Sequence, residues 1–476
     1  MGWARIGGDG NLACSRSGDG MTFTSWQFGL FVVVIFAIYY LPPARRYQVF
    51  LLVLASLFFY GYGQVELLPM LAVAVLGTYL FLILAWQNRG MFLPLGIVFN
   101  LALLAFFKYK FLFVDPTQIS TGSSAADFLL RLPLPIGISF FVFHNISLLV
   151  DLTKDDEKLR PSLSDAFLYI IFFPQLVSGP ITRAQMFLPQ IREKYLGDVD
   201  FVAAARWILI GYFFKLYVAN NLNEMTAYMD FPLYETVRLQ DKWLLVFLYS
   251  YQIYADFFGY TAIAIGLGLL FGYRLPINFN LPYISGSFSE FWTRWHISLS
   301  SWLRTYLYIP LGGNRHGRGR TYLNIMIVMG LGGLWHGAAL SYLAWGTMHG
   351  VLLVLERMLL GKVDENSKAA VLIRPLRIGF VFFSVSMLWI FFKLPNFDHA
   401  LAYLWGMFHA SVVPGQAKFF NSLALLYSLP VIIQHLAPPS WLEAARRKAE
   451  PYLYGAMAAL MCVEAGPNAS FIYFQF

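Results

Sequence analysis

Long apolar runs follow one another down this chain with little between them but a few basic residues, glycines and prolines, and that succession limits the folds open to it. Trp26 to Leu41, Val49 to Tyr62, Leu67 to Trp86 and Met91 to Phe107 make the first four runs. A hydrocarbon core of about 30 Å takes roughly 20 helical residues to cross, and only helices or closed barrels satisfy their backbone groups inside it. No strand-like alternation of the barrel kind occurs, so the runs read as helices. The first two are short for a span, and their polar flanks are expected to snorkel to the interface. Later runs fall at 135–152, 166–177, 201–218, 243–258, 261–271, 323–334, 339–360, 378–392, 401–409, 419–433 and 452–462, several of them too short to cross alone. Short apolar segments broken by Gly or Pro suggest re-entrant or half-helices enclosed by protein. The expectation is an all-α polytopic membrane protein with about 11 transmembrane helices plus one or two such pieces. No repeat of solenoid-like period is present.

Charge supports this and sets a direction. Only 13% of residues are charged, against roughly 25% in soluble proteins. The net charge of +8 comes from short segments between apolar runs, such as Arg45-Arg46 and Arg315 to Arg320. That is the pattern that keeps loops cytoplasmic, so no nucleic-acid partner is expected. Arg45-Arg46 and Arg89 lie in alternate loops, which places the amino terminus outside the cytoplasm. Lys108 and Lys110 then fall on the outer side, against the trend. Residues 1–25 form a polar Gly/Ser-rich tail unlike a signal peptide. Cys14 and Cys462 support neither a disulfide framework nor a redox pair.

The segment from Ala255 to Gly350 differs from its neighbours in its density of Gly, Trp, His and Arg, and chemistry is expected there. His336 follows a mostly apolar stretch, so it should lie at membrane depth, where an ionisable group is by default a functional candidate. Gly330, Gly332, Gly333 and Gly337 surround it. Each weakens a helix interior by about 1 kcal/mol relative to Ala, which makes sense if a backbone or a substrate must come close. A neutral imidazole there can take a proton from a hydroxyl. The bland alternative is a core histidine bonded to a carbonyl. His296 has two readings of equal weight. If Ser287 to Tyr306 is one helix, His296, Ser300 and Arg304 share a face that lines a polar cavity, or Trp292, Trp295 and Trp302 anchor an interfacial helix. Glu290 and Arg294 would pair at i, i+4 on another face. His144 is expected to be structural, Asp256 to support the site, and His316 and His349 to be incidental. The loop Arg315 to Arg320 reads as a cytoplasmic anchor rather than a phosphate site, and Gly312-Gly313-Asn314-Arg315 lacks the ending of a phosphate-cradling Walker loop. No metal-ligand spacing is present, so no metal is expected.

The motifs in this segment are Asp256-Phe257-Phe258-Gly259-Tyr260-Thr261, Asn278-Phe279-Asn280-Leu281-Pro282-Tyr283, Glu290 to Ser300, Trp302 to Gly313, and Gly332-Gly333-Leu334-Trp335-His336-Gly337. Together with Pro135 to Phe141, Phe173 to Ile181 and the aromatic ending Phe471 to Phe476, they resemble the membrane-bound O-acyltransferase (MBOAT) family, in particular its alginate O-acetyltransferase-like branch. One departure is visible: Ala262 stands where the branch usually carries an Asp, which puts any role of that second carboxylate in doubt.

The resemblance implies the MBOAT fold, helices and half-helices around a central cavity, with 26–132 as N-terminal transmembrane helices, 133–350 as the catalytic core and 351–476 as C-terminal helices. It implies that His336 is the catalytic histidine and His296 its companion, with Asp256, Arg294, Trp335, Arg304 and Asn278 supporting them or lining the cavity. It implies acetyl transfer to hydroxyls of a secreted polysaccharide at the bacterial inner membrane, among membrane lipids and with periplasmic acetylation proteins as partners. No cofactor is expected to be tightly bound; acetyl-CoA or an acyl carrier is the ultimate donor. The rival readings are D-alanyl transfer to teichoic acid and, from another class, polysaccharide or lipid transport, since broken helices and midplane polar groups also suit a transporter.

Overall fold

The computed structural model describes residues 21–114, 129–154, 159–177, 179–359, 368–409, 421–437, 439–467, 469 and 471. The expected tail therefore lies outside the described residues as far as Gly20, as do Ser178 and the ending from Ile472 to Phe476. Met21 to Ser25 are described, and there Phe23 is buried, its ring 4.4 Å from that of Tyr260.

The described residues contain helices and turns and no strand. In chain order the main helices are α1 (Trp26–Tyr39), α2 (Gln48–Gln64), α3 (Leu68–Gln87), α4 (Arg89–Phe113), α5 (Ile138–Leu152), α6 (Leu163–Ile171), α7 (Phe201–Tyr212), α8 (Leu239–Leu270), α9 (Phe288–Arg294), α10 (Ile297–Leu303), α11 (Gly317–His336), α12 (Leu340–Leu359), α13 (Lys368–Lys393), α14 (Phe397–Gly406), α15 (Asn421–Leu436) and α16 (Pro439–Val463). Local chemistry starts several of them. The side chain of Ser25 accepts the Phe28 amide, Asn88 that of Met91 and Asp200 that of Ala203, and Ser162 and Asp165 form a reciprocal capping box. Each such cap is worth about 1 kcal/mol.

Among the described residues, five segments are long and apolar enough to cross a bilayer: Pro42–Gln87, which holds both α2 and α3, then Arg89–Phe113, Phe201–Met229, Leu239–Leu270 and Leu372–Lys393. Large apolar side chains such as Trp26, Phe113, Leu372 and Tyr452 are exposed, as lipid-facing groups of a multi-pass membrane protein should be. At the centre, α8 is largely apolar and is buried throughout Gln252 to Gly268, as a core helix is. It packs on α7 through small residues. A Cβ at Gly259 would stand 2.8 Å from the Gly211 carbonyl oxygen, and one at Gly266 2.8 Å from that of Ala204. Helices in lipid gain their contact from such close backbone approach. Beyond Tyr212 the chain passes through a π-helical stretch, Phe213–Ala219. That stretch carries Lys215, whose Nζ lies 2.6 Å from Asp256 Oδ1 on α8, both side chains buried. The same ammonium donates to Ala469 O at 3.0 Å, and Phe471 stacks on Tyr260 with ring centroids 4.2 Å apart, so the chain re-enters the core after α16.

Candidate active site

The glycines around His336 do two different jobs. α11 and α12 form a tight hairpin, and a Cβ at Gly333 would overlap the Tyr342 carbonyl oxygen and stand 3.1 Å from Gly346 Cα. A Cβ at Gly346 would overlap the Met329 carbonyl oxygen, and one at Gly337 the Tyr342 ring. These three serve the close approach of backbone to backbone and of backbone to ring. Gly332 is different: a Cβ there would meet only Leu303 Cδ1, at 3.4 Å. It lies one turn before His336 on the same side of α11, and both line a cavity of about 1230 Å³.

His336 is the last residue of α11 and is buried. Its ring packs against Trp335, Trp345 and Phe392 at centroid distances of 4.8, 5.1 and 5.1 Å. From there the cavity runs along Gly332, Leu303, Ser300 and Arg304 to Arg315 and Arg318. Nineteen residues separate Gly317 from His336, so at a rise of 1.5 Å per residue the histidine stands about 28 Å along α11 from the basic loop.

His296 reaches the same region by a broken helix. The single helix considered over Ser287 to Tyr306 does not form. α9 stops at Arg294, Trp295 is extended, His296 has φ 43°, α10 starts at Ile297, and Arg304–Tyr308 is a π-helical stretch. The reason lies in the segment that pairs with the break. Asn280 N–H donates to Arg294 O and Ile297 N–H to Asn278 O, each at 3.0 Å. The common face that a continuous helix would give His296, Ser300 and Arg304 is therefore absent: Ser300 and Arg304 line the cavity, whereas His296 does not.

The break gives His296 a defined tautomer. Asn278 Oδ1 accepts the Ser298 backbone N–H at 3.1 Å and the Ser298 hydroxyl at 2.9 Å. A backbone N–H can only donate, which fixes that amide atom as oxygen. His296 Nδ1, 3.1 Å from the same oxygen, must then carry its proton, leaving Nε2 as the basic nitrogen. Ser298 Oγ in turn accepts the Ile181 amide at 3.0 Å. The Trp335 indole joins the two histidines, its ring centroid 6.3 Å from His296 and 4.8 Å from His336. Phe143 stacks between Trp335 and Trp302, at 5.2 and 3.7 Å.

The remaining candidates divide. Arg304 lines the cavity. Arg294 faces the loop instead, bridging Glu290 at 2.9 Å and donating to Asn280 O at 3.0 Å. Asp256 pairs with Lys215, and its neighbour Phe257 packs edge-on against His296 at 4.6 Å. His144 Nε2 accepts the Thr182 amide at 3.2 Å, a structural bond. Among the described residues no group of three or more His, Cys, Asp or Glu is placed to hold a metal ion.

Three features escaped the sequence reading. Glu356, on the cavity wall, accepts the Phe288 and Ser289 amides at 2.5 and 3.2 Å. Arg183 donates to Ser301 Oγ and Thr305 Oγ1, each at 2.7 Å, and so ties α10 to the π-helical stretch that follows it. Lys108 and Tyr109 reach the end of α11. Only Lys108 gave a signal, as a cation on the unexpected side.

Comparison with known proteins agrees with the motifs. The sequence profile of the membrane-bound O-acyltransferase family matches residues 57–395. The probable alginate O-acetylase of Azotobacter vinelandii is 38% identical over 399 residues, 82% of this chain and 78% of that protein. The peptidoglycan O-acetyltransferase of Helicobacter pylori is 35% identical over 390 residues, 75% of this chain and 73% of that one. The teichoic acid D-alanyltransferase of Bacillus subtilis is 30% identical over 230 residues, 46% of this chain and 58% of its own length.

Proposed function

This chain belongs to the membrane-bound O-acyltransferase family, and from that premise we propose that it acetylates hydroxyls of a secreted, alginate-like polysaccharide at the bacterial inner membrane, with His336 as the general base. The observation that carries the assignment of His336 is the cavity, which joins a buried imidazole to a basic mouth about one helix length away along α11.

The positive-inside rule puts Arg315 to Arg320 on the cytoplasmic side. The donor, an acetyl thioester of coenzyme A or of an acyl carrier, enters there, and Arg304, Arg315 and Arg318 draw in its phosphate. The acceptor hydroxyl approaches from the outer side, presented with the help of periplasmic acetylation proteins. Its oxygen attacks the thioester carbonyl while His336 takes the proton. As the tetrahedral intermediate collapses, the C–S bond breaks and His336 returns the proton to the sulfur. General-base help of this kind is worth about 10²–10⁴-fold. His296, held by Asn278, packs against the Trp335 indole that also contacts His336, and acts on the site through that ring rather than on the substrate; with little water present, fixed dipoles act strongly on the developing oxyanion.

The full membrane domain comprises about 11 spans, the segments shorter than a bilayer serving as half-helices around the cavity. Residues 26–132, 133–350 and 351–476 form the amino-terminal helices, the catalytic core and the carboxy-terminal helices. Alginate rather than teichoic acid is the better model for the acceptor, because the Azotobacter vinelandii alginate relative matches 82% of the chain and the Bacillus subtilis D-alanyltransferase 46%.

His336→Ala tests the assignment. Acetyl groups on the exported polymer should vanish while the protein remains in the membrane at normal abundance. Wild-type acetylation by that variant would sink it.

A further inference from the structure

A helix leaves its last four carbonyls without partners inside the helix, and the helix that ends on His336 is closed by another part of the chain. Two consecutive side chains of α4 take two of those carbonyls. Tyr109 Oη donates to Leu334 O at 2.7 Å, and Lys108 Nζ donates to Trp335 O. Lys108 Nζ also stands 3.5 Å from Ser139 Oγ on α5 and 5.8 Å from the Trp335 ring centroid. A lysine near the outer end of a span ordinarily extends its ammonium to the headgroups. This one turns inward, where a cation is favoured by the negative end of the α11 dipole. The neighbouring Lys110 behaves otherwise and donates to Leu132 O at 2.5 Å, away from the site.

We propose that Lys108 and Tyr109 are positioning residues for the transfer reaction: they clamp the last turn of α11 and so hold the His336 imidazole at the inner end of the cavity. The clamp belongs to the first bundle of helices, outside 133–350, so the catalytic core depends on α4 for its geometry. The proposal rests on the reading of His336 as the base. Both side chains act through the backbone on either side of Trp335, and neither is among the residues that line the cavity. The expected signature is a loss of turnover without a loss of donor binding, since misplacing a reacting group by about 1 Å costs on the order of 100-fold in rate.

The experiment uses the full-length protein in native membranes, with Lys108→Met, Lys108→Arg, Tyr109→Phe and His336→Ala measured side by side for kcat, donor KM and amide hydrogen exchange at residues 334–337. Lys108→Met should lower kcat at least tenfold with donor KM within about twofold and speed exchange in the last turn of α11. Lys108→Arg, which keeps a donor for the carbonyl, should regain most of the loss, and Tyr109→Phe should show a smaller fall. Lys108→Met with wild-type kcat and wild-type exchange overturns the clamp while leaving the base assignment standing. If His336→Ala stays active, the base assignment fails. The exchange measurement then decides the clamp alone: faster exchange supports it and unchanged exchange overturns it.

Discussion

Adding one methyl group at Gly333, and separately at Gly332, distinguishes a glycine needed for packing from a glycine needed for passage. The two are adjacent in sequence but face different neighbours. At position 332 the new Cβ would meet only Leu303 Cδ1, at 3.4 Å, and alanine is the better helix former by about 1 kcal/mol. At position 333 it would overlap the Tyr342 carbonyl oxygen and stand 3.1 Å from Gly346 Cα. Comfortable contact between non-bonded heavy atoms is about 3.5 Å, and the overlap with the Tyr342 oxygen is deeper than the approach to Gly346, so α12 must retreat by roughly 1 Å. Overpacking of this kind costs about 1–3 kcal/mol, which outweighs the gain in helix propensity. His336 sits within the next turn of the same helix, so a shift of that size predicts a fall in kcat on the order of 100-fold. Melting of the detergent-solubilised protein and acetylation assays in membranes check both halves. Gly333→Ala should melt earlier and lose turnover. Gly332→Ala should melt at or above the wild-type temperature and act through donor KM, because it narrows the cavity without moving the helices. A Gly333→Ala protein that melts and turns over like the wild type would refute the packing argument, and a destabilised Gly332→Ala would refute the cavity argument.

Asn278→Ala removes the acceptor shared by His296 Nδ1, Ser298 N and Ser298 Oγ; leaving such buried donors unmet costs about 1–3 kcal/mol. Turnover should fall, and His296→Ala should add little in that background, a non-additivity read from a double-mutant cycle. Additive losses would show that Asn278 does not act through His296. Lys215→Met removes one partner of the buried ion pair with Asp256, a change worth about 3–5 kcal/mol when a buried pair is broken from one side. Membrane abundance and melting temperature should drop, and Lys215→Met combined with Asp256→Leu should recover part of the loss. A single variant as stable as the wild type would count against the pair.

The sequence by itself determined the solvent and, through its motifs, the family. Apolar runs of bilayer length, with 13% charged residues overall, leave an all-helical membrane protein as the outcome, and the basic loops give it a direction. His336 stood out because an ionisable group at the end of an apolar stretch has few innocent explanations, and Asn278, Trp335 and Arg304 lay in the motifs around it. What the tertiary structure decided was which of those residues meet. The break at His296 depends on hydrogen bonds from the 278–280 segment, and a helical pattern carries no trace of a partner strand of chain so far from it. Asp256 turned out to answer Lys215, an interaction 41 residues away in sequence, and Arg294 to hold a loop. Lys108 was legible only as an anomaly, a cation where the topology rule expects none. Its meaning required the end of α11 to be brought against α4 across 227 residues of chain. Periodicity reports which face of a helix is apolar; it cannot report which carbonyl at the end of another helix stands within reach, because that depends on how the helices pack.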